Sequence, residues 1–348
     1  MKQIQVGIIG YGLSGQVFHG PFLKASTHYN VRFIYARDPV KKALAKADFP
    51  EAEVVGDVNL LFSADRLDLI VICTPNVEHY KLARSALESG KHVIVEKPFT
   101  VTSEEAKSLI SLAKESNLNL SVYHNRRFDG DFLTLKAILK DDTLGRIVSF
   151  ESHFDRFRPA FKENSWKEDA LPGSGILYDL GSHLIDQALC LFGLPQELYA
   201  TLSRDRMGVV DDAFEVILYY PQLKVTLKAS NLIKEPTPRF ALYGTTGAFV
   251  KYGLDPQEDA LRAGKLPLLP DWGKENEDSW GILNTLEDRR PIPTQPGCYD
   301  DFYQRFYLSL ISNAPLPVSA DDALMVIQLI EAAIKSNQTK GRVSLADY

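Results

Sequence analysis

The chain has 348 residues, of which 45% are hydrophobic and 24% charged, and its formal net charge is -6. This composition is that of an ordinary soluble globular protein and excludes a disordered or fibrous one. The length exceeds what one hydrophobic core organises, so we expect two domains. The negative net charge argues against nucleic acid or an anionic membrane surface as the main partner.

The cysteines and the amino terminus indicate the compartment. Cys73, Cys190 and Cys298 are widely scattered and odd in number, which is atypical of a disulfide framework and favours a reducing compartment. The chain begins Met1-Lys2 and enters an apolar segment at once, so we expect no signal peptide. Because no apolar run reaches about 18 residues, we expect no membrane span. The expected location is cytoplasmic.

The first third of the chain alternates short apolar strands with amphipathic helices. The predicted strands cover residues 4–9, 31–35, 67–72, 92–95 and 118–122. Residues 78–89 and 103–115 show helical patterns between them. This alternation predicts right-handed βαβ units, and therefore an α/β fold that begins with a Rossmann domain, a doubly wound parallel sheet over residues 1–122.

The rhythm changes after residue 122. Strands are expected at 147–154, 198–203, 213–220, 224–230, 239–243 and 248–251, and helices at 175–192, 299–313 and 320–336. Consecutive strands without helical crossovers predict an α+β domain over residues 123–348 with a large, mostly antiparallel open sheet. Apolar residues on both faces of 213–220 suggest a covered outer face, so we expect a homodimer or homotetramer. Residues 255–296, rich in proline, glycine and charge, are expected to be irregular.

A glycine-rich loop follows the first strand directly. It reads Gly10-Tyr11-Gly12-Leu13-Ser14-Gly15. The first glycine permits the tight turn, the second lets the backbone approach a pyrophosphate, and the third allows close contact of helix and sheet. The loop therefore predicts a nicotinamide dinucleotide, against the alternatives of a ligand-free turn or a methyltransferase loop. His19-Gly20-Pro21 should make the following helix short or irregular.

The end of the second strand bears on the choice between NAD and NADP. In the segment Tyr35-Ala36-Arg37-Asp38, an acid would bind both ribose hydroxyls of NAD, whereas Arg37 would bind the 2′-phosphate of NADP. Lys41 and Lys42 add positive charge nearby. Asp38 as the ribose acid, and Arg37 as a solvated surface charge, remain the alternatives. We favour NADP over NAD.

Four ordered motifs resemble those of the Gfo/Idh/MocA oxidoreductases over nearly the whole chain. They are the glycine loop, Thr74-Pro75-Asn76-Val77-Glu78-His79, the segment 90–98 ending in Glu96-Lys97-Pro98, and the segment 173–186 containing Asp179 and His183. Segments 124–129, 151–159 and 251–258 look more narrowly like the NADP-linked scyllo-inositol dehydrogenase branch. The resemblance implies hydride transfer between a nicotinamide and a secondary hydroxyl or ketone of a cyclic polyol or sugar.

Oxidation of such a hydroxyl needs a base and a donor to the developing alkoxide. Asp179 and His183 are four residues apart on the predicted helix, so they share a face, and the carboxylate would fix the imidazole tautomer. Lys97 follows a strand at the carboxyl edge of the sheet, where ligands of open α/β folds bind. The resemblance implies that Lys97, Asp179 and His183 are catalytic, and it implies a cis peptide before Pro98. Whether the lysine or the histidine takes the proton stays open.

The other candidate residues border the cofactor or the substrate. The predicted cofactor-binding residues are Gly10, Gly12, Gly15, Arg37, Thr74, Pro75, Asn76, His79, Glu96 and Lys97. The predicted substrate residues are Tyr123, Asn125, Arg127 and Tyr178, whose polar groups would bind a polyol. A capping or surface role is the alternative for His79. No metal site is expected, because the nicotinamide accepts the hydride and no HExxH spacing appears.

Two other functions are considered. One is a reductase resembling dihydrodiol or biliverdin reductases. The other, from a different class, is a regulator that senses a dinucleotide without turnover, and the presence of both Lys97 and His183 disfavours it. For the dehydrogenase we expect the amine of Lys97 and the imidazole of His183 to act at the same nicotinamide face.

Overall fold

The computed structural model describes residues 3–162, 166–267 and 269–346. These residues form two compact units. The first runs from the amino terminus to Asn125 and includes Gln257–Trp272 and Cys298–Leu324, whereas the second holds Arg126–Pro256, Gly273–Gly297 and the chain from Met325 onward. The first unit thus contains two segments that the division into residues 1–122 and 123–348 places in the second domain. Residues 1–2 of the first predicted domain and residues 347–348 of the second lie outside the described residues.

The first unit is built on a parallel sheet. Its strands are β1 (Ile4–Ile9), β2 (Tyr29–Tyr35), β3 (Glu53–Val55), β4 (Leu69–Ile72), β5 (His92–Glu96) and β6 (Leu120–Tyr123). The strand order β3-β2-β1-β4-β5-β6 confirms the predicted Rossmann sheet. Successive strands are added on one side of β1 as far as β3, and the chain then returns to place β4 on the other side of β1. Ligands of open α/β sheets bind at such a switch point, here between β1 and β4. The three residues of β3 were not predicted, since so short a strand shows no repeat.

The helices flank and connect the strands of both units. In chain order they are α1 (Gly20–Ala25), α2 (Pro39–Asp48), α3 (Asn59–Phe62), α4 (His79–Glu88), α5 (Ser103–Glu115), α6 (Gly130–Lys140), α7 (Ser182–Phe192), α8 (Gln257–Arg262), α9 (Asp300–Ser312) and α10 (Ala320–Thr339). A π-helical turn over Ser14–His19 precedes α1, so the helix after the glycine loop is irregular, as predicted. No helix among the described residues is both long and apolar enough to cross a membrane.

The second unit is built on the predicted large, mostly antiparallel sheet. Its strands are β7 (Ile147–His153), β8 (Glu197–Ser203), β9 (Ala213–Tyr219), β10 (Lys224–Ser230), β11 (Phe240–Gly244), β12 (Gly247–Lys251), β13 (Gly281–Thr285), β14 (Arg289–Ile292) and β15 (Val343–Ser344). They follow the order β14-β13-β12-β11-β7-β10-β9-β8-β15. In this sheet β7 and β10 pair in parallel, whereas the other described pairs are antiparallel. The whole architecture is therefore α/β in its first part and α+β in its second, as predicted.

The two faces of this second sheet differ in burial. Alternate residues such as Leu218 and Val225 are fully buried on one face. On the other face Ile217 and Tyr219 are half-buried, and Tyr243 is 37% exposed. Apolar side chains thus occupy both faces, as the sequence indicates, and coverage of the outer face by a second copy of the chain stays a prediction.

Two expectations for the second half of the chain were wrong. Residues 255–296 are not irregular throughout, because they contain α8, β13 and β14. β14 is an edge strand, where Pro291 is tolerated because one side of the strand needs no ladder hydrogen bonds. The helix expected over 175–192 divides into a π-helical turn, Leu177–Gly181, followed by α7.

Candidate functional site

The glycine loop leaves no room for side chains at either end. Gly10 has φ +94°, and a Cβ there would lie 2.8 Å from the carbonyl oxygen of Cys73. A Cβ at Gly15 would lie 2.3 Å from the carbonyl oxygen of Gly10. Gly12 differs, because the nearest atom to a Cβ there is Nζ of Lys41 at 3.9 Å. The space over Gly12 is therefore open, as the close approach of a pyrophosphate requires.

Two cationic side chains and one carboxylate follow the end of β2, and the carboxylate caps a helix. Asp38 is the N-cap of α2, and its Oδ1 accepts a hydrogen bond from the backbone N–H of Lys41 at 3.0 Å. Such a cap satisfies one of the donors left unpaired at a helix start. Arg37 and Lys41 are exposed. The carboxylate considered as a ribose ligand is thus engaged by the backbone, whereas both cations are accessible.

The loop after β4 carries a buried hydroxyl next to the glycine loop. A Cβ at Gly10 would lie 3.3 Å from Cγ2 of Thr74. Oγ1 of Thr74 is buried and has no hydrogen-bond partner among the described residues. Burying such a hydroxyl costs about 1–3 kcal/mol, so a ligand that accepts or donates a hydrogen bond here would be favoured. Pro75 and the buried Asn76 follow. Together with the open space at Gly12, this arrangement fits a nicotinamide dinucleotide.

His79 ties the loop after β4 to the loop after β5. Its Nε2 lies 2.9 Å from the carbonyl oxygen of Thr74, and its Nδ1 lies 2.9 Å from the carbonyl oxygen of Pro98. Burial lowers the pKa of His79 although these carbonyl oxygens act in the opposite direction. The ring is fully buried, so a surface position for His79 is wrong. This predicted cofactor residue therefore links the two loops through its ring nitrogens.

Glu96, at the end of β5, uses both of its oxygens within the protein. Oε1 accepts hydrogen bonds from the hydroxyl of Ser14 and from Nε2 of His19, and Oε2 accepts one from the backbone N–H of Lys97 at 3.0 Å. Burial by itself raises the pKa of Glu96, but the hydrogen bond and charge of His19, with Ser14 and Lys97, outweigh it and lower the pKa to about 2. Glu96 is therefore an ionised, buried carboxylate.

Lys97 follows Glu96 at the carboxyl end of the parallel sheet. The Lys97–Pro98 peptide is cis, as predicted, and the Lys97 side chain is half-buried. A half-buried amine at this edge of the sheet can donate a hydrogen bond to a reacting oxygen or take its proton.

Three residues around Glu96, namely Ser14, His19 and Tyr303, were not among the predicted site residues. Nδ1 of His19 lies 2.5 Å from the hydroxyl of Tyr303, and both side chains are fully buried. Ser14 and His19 are five residues apart, one turn of the π-helical segment, which brings both to Glu96. The sequence showed His19 only as the start of a helix-interrupting tripeptide, and Tyr303 carried no signal.

The turn before α7 in the second unit depends on Gly175 and Asp211. Gly175 has φ +92°, and a Cβ there would lie 2.2 Å from Oδ1 of Asp211. Oδ2 of Asp211 accepts a hydrogen bond from the backbone N–H of Leu177 at 2.8 Å. The carboxylate thus caps the helical turn that carries Asp179, and a side chain at residue 175 would displace it.

Asp179 and His183 lie on this turn and on α7. His183 is 5% exposed in the first turn of α7. Asp179 forms an ion pair with Lys167, whose Nζ lies 2.6 Å from Oδ1. Lys167 was not predicted; it lies in a short 3-10 helix, Trp166–Glu168, twelve residues earlier in the chain. The carboxylate of Asp179 is therefore paired with a cation, and it lies on the turn that leads directly into the helix of His183.

The predicted substrate residues are mostly buried. Arg127 forms a bidentate ion pair with Asp186, with Nε 2.9 Å from Oδ2 and Nη2 2.6 Å from Oδ1. Asp186 lies three residues after His183, so α7 presents both side chains on neighbouring positions of one face. Tyr178 is 9% exposed. In the first unit, Asn125 is 6% exposed, and the hydroxyl of the buried Tyr123 donates to the carbonyl oxygen of Phe18 at 3.0 Å.

No group of three or more His, Cys, Asp or Glu side chains in the described ranges has an arrangement that could hold a metal ion.

Fold and motifs define a class, that of oxidoreductases with a dinucleotide-binding Rossmann domain and a second α/β domain. Residues 4–124 match the family model described as the NAD-binding Rossmann fold of the oxidoreductase family, and residues 136–345 match that of its C-terminal alpha/beta domain. The chain belongs to the Gfo/Idh/MocA oxidoreductase family, as the resemblance of its motifs indicates. It is an NAD(P)-dependent dehydrogenase.

Relatives match over nearly their full length. The chain is 43% identical to the uncharacterized oxidoreductase YdgJ of Escherichia coli, over 99% of each chain. It is 38% identical to the scyllo-inositol 2-dehydrogenase (NADP(+)) IolW of Bacillus subtilis, over 98% of this chain and 96% of the relative. Among solved structures, an oxidoreductase from Bacillus cereus superposes with a TM-score of 0.90 at 34% identity, over 99% of each chain.

Proposed function

We propose that this dehydrogenase transfers a hydride between NADP and a secondary hydroxyl of a cyclic polyol or sugar of the inositol type. The observation that carries the proposal is the position of Lys97, which follows β5 at the edge of the sheet that also carries the open glycine loop. The similarity to a relative named as an NADP-dependent scyllo-inositol dehydrogenase supports the substrate class.

Each side chain then has a defined task. A bound nicotinamide supplies the hydride acceptor or donor. The amine of Lys97 stabilises negative charge on the reacting oxygen, and one of Lys97 and His183 takes its proton. Asp179, held by Lys167, compensates the charge of a protonated imidazole. Thr74 and Gly12 contribute a hydroxyl and an accessible backbone to the dinucleotide.

The substrate class is tested with a panel of inositols, aldoses and ketoses. Purified protein is mixed with NADP and each polyol, or with NADPH and each ketone, and the absorbance of the reduced nicotinamide is followed. We expect turnover with at least one cyclic polyol, and turnover about 10³-fold slower by a Lys97→Met variant under the same conditions. Binding of NADPH without turnover of any compound in either direction would contradict the proposal and favour a dinucleotide-sensing regulator.

The preference for NADP is tested at Arg37. The Arg37→Ala change removes a guanidinium that would hold the 2′-phosphate, and a charge-assisted hydrogen bond contributes about 1.5–3 kcal/mol. We expect KM for NADP to rise about 10–100-fold and KM for NAD to change little. The matched control is Arg32→Ala, an exposed arginine nearer the start of β2. Equal losses with NAD and NADP would show that Arg37 does not select the phosphate.

A further inference from the structure

A chain of buried hydrogen bonds leads from α9 to the backbone of Lys97. The hydroxyl of Tyr303 lies 2.5 Å from Nδ1 of His19, and Nε2 of His19 lies 3.0 Å from Oε1 of Glu96. Oε2 of Glu96 accepts the backbone N–H of Lys97. Tyr303 and His19 are fully buried and Glu96 is 8% exposed. The chain thus crosses the interior of the first unit and ends at the residue proposed to touch the reacting oxygen.

The protonation pattern along this chain follows from the charge of Glu96. With Glu96 ionised, Nε2 of His19 must carry the proton that it donates. Nδ1 of the same ring faces the Tyr303 hydroxyl, so each ring nitrogen has one buried hydrogen-bond partner. The phenol thus holds the imidazole in the orientation in which Nε2 anchors the carboxylate.

Glu96 also connects these buried hydrogen bonds to the glycine loop. Ser14, which lies in that loop, donates to the same Oε1 that accepts from His19. The rings of His19 and Tyr123 lie 4.3 Å apart between centroids. The charge of Glu96 also acts on Lys97, on the buried His79, and on the buried Cys73, whose pKa is raised by burial and by that charge. One carboxylate thus connects the dinucleotide loop with Lys97.

We propose that His19 and Tyr303 are positioning residues, which anchor the Glu96 carboxylate and through it hold Lys97 in its reactive position. This inference rests on the proposed role of Lys97. Loss of the anchor should let the buried carboxylate turn toward Lys97, whose charge already acts on it. Loss of the carboxylate itself should remove negative charge beside Lys97. The two changes therefore act on the amine in opposite directions.

The test measures the reactivity of the Lys97 amine directly, without substrate. The whole protein is acetylated at a series of pH values between 7 and 11, and its lysines compete for the reagent. Mass spectrometry gives the labelling midpoint of Lys97, the pH at which its acetylation is half-maximal, relative to that of the exposed Lys107. We expect Glu96→Gln to move the midpoint down by about 1 pH unit, as loss of a nearby opposite charge does. We expect His19→Leu to move it up, and His19→Gln, which keeps a donor, to restore it.

Tyr303→Phe serves as the mildest variant, because it removes one hydroxyl and keeps the buried ring. We expect a small upward shift of the Lys97 midpoint and about a 10-fold loss of kcat. KM for the cofactor should change little, because a small displacement of the Lys97 amine lowers the rate of the reaction more than it weakens cofactor binding. The control is Tyr29→Phe, which removes the hydrogen bond from Tyr29 to the carbonyl oxygen of Tyr303 but leaves the His19 contact in place. We expect it to leave the midpoint and kcat unchanged.

Unchanged labelling midpoints in both Glu96→Gln and Tyr303→Phe would overturn the inference. So would shifts in the same direction in every variant, which a general loosening of the fold would cause. If the unmodified enzyme oxidises no polyol, the substrate assignment fails, whereas the labelling result still decides whether the anchor acts on Lys97.

Discussion

Replacing Lys97 by methionine is expected to lower kcat about 10³-fold while leaving the affinity for NADPH near its original value. Methionine keeps the length of the side chain but can neither donate to an alkoxide nor accept a proton, and a positioned acid–base group contributes about 10²–10⁴-fold. The Lys97 backbone remains held by Glu96, so the loop should keep its shape. Steady-state kinetics and the fluorescence change on NADPH binding measure the two quantities separately.

The matched control for this variant is Lys91→Met. Lys91 precedes the same strand at its opposite end, where its buried amine donates to the carbonyl oxygen of Ala64. We expect little effect on kcat there. Combining Lys97→Met with His183→Gln tests whether the two residues serve one step, because groups acting as a unit give strongly non-additive losses. Wild-type kcat in Lys97→Met, or fully additive losses, would contradict the shared role.

The second large effect is expected on stability, at Lys251. Its Nζ lies 3.1 Å from Oε1 of Glu275 and 2.6 Å from the carbonyl oxygen of Tyr252, and both charged side chains are almost fully buried. Oε2 of Glu275 has no hydrogen-bond partner among the described residues. Lys251→Met should therefore lower the free energy of unfolding by about 3–5 kcal/mol, because it leaves a buried, uncompensated carboxylate. Urea denaturation followed by far-UV circular dichroism measures this loss.

A double variant separates the cost of a lone charge from the value of the pair. Lys251→Met with Glu275→Leu removes both charges, and we expect it to recover most of the lost stability. Lys228→Met is the control, since Lys228 pairs with Glu215 on the same sheet with both side chains about 40% exposed, and such pairs contribute about 0–1 kcal/mol. A double variant as unstable as Lys251→Met would rule out the uncompensated charge as the cause.

Sequence reasoning succeeded where the signal is local. The glycine loop is a contiguous pattern, and the conformation of Gly10 and the close contact at Gly15 are those that the pattern requires. The N-cap role of Asp38 was also readable in principle, because an aspartate followed by proline often starts a helix. The prediction instead weighed it as a ribose ligand, since the motif places an acid near this point.

It failed where partners are remote in sequence. His19 meets Glu96 and Tyr303, which lie 77 and 284 residues away, and no pattern around His19 points to either. The ion pair of Arg127 with Asp186 spans 59 residues, so a residue expected to be available for substrate proved to be engaged. Burial and pairing across such distances are tertiary properties that one sequence does not display.

The same limit applies to the elements of the fold. The main strands of the parallel sheet were predictable because each is an apolar run in its own right. The short β3 and the proline-containing edge strand β14 were missed, since both depend on pairing with a neighbour rather than on their own composition.

The contribution of α9 to the first unit has a consequence for transplanting the nucleotide module between relatives. The carbonyl oxygen of Tyr303 accepts a hydrogen bond from the hydroxyl of Tyr29. The ring of Tyr303 stacks on Phe22, and its hydroxyl contacts Nδ1 of His19. A fragment cut after residue 125 would lack these groups and would open its aromatic interior to water. A working chimera must therefore carry three separate stretches of the gene, which makes a simple exchange at one crossover an unsuitable way to change cofactor preference.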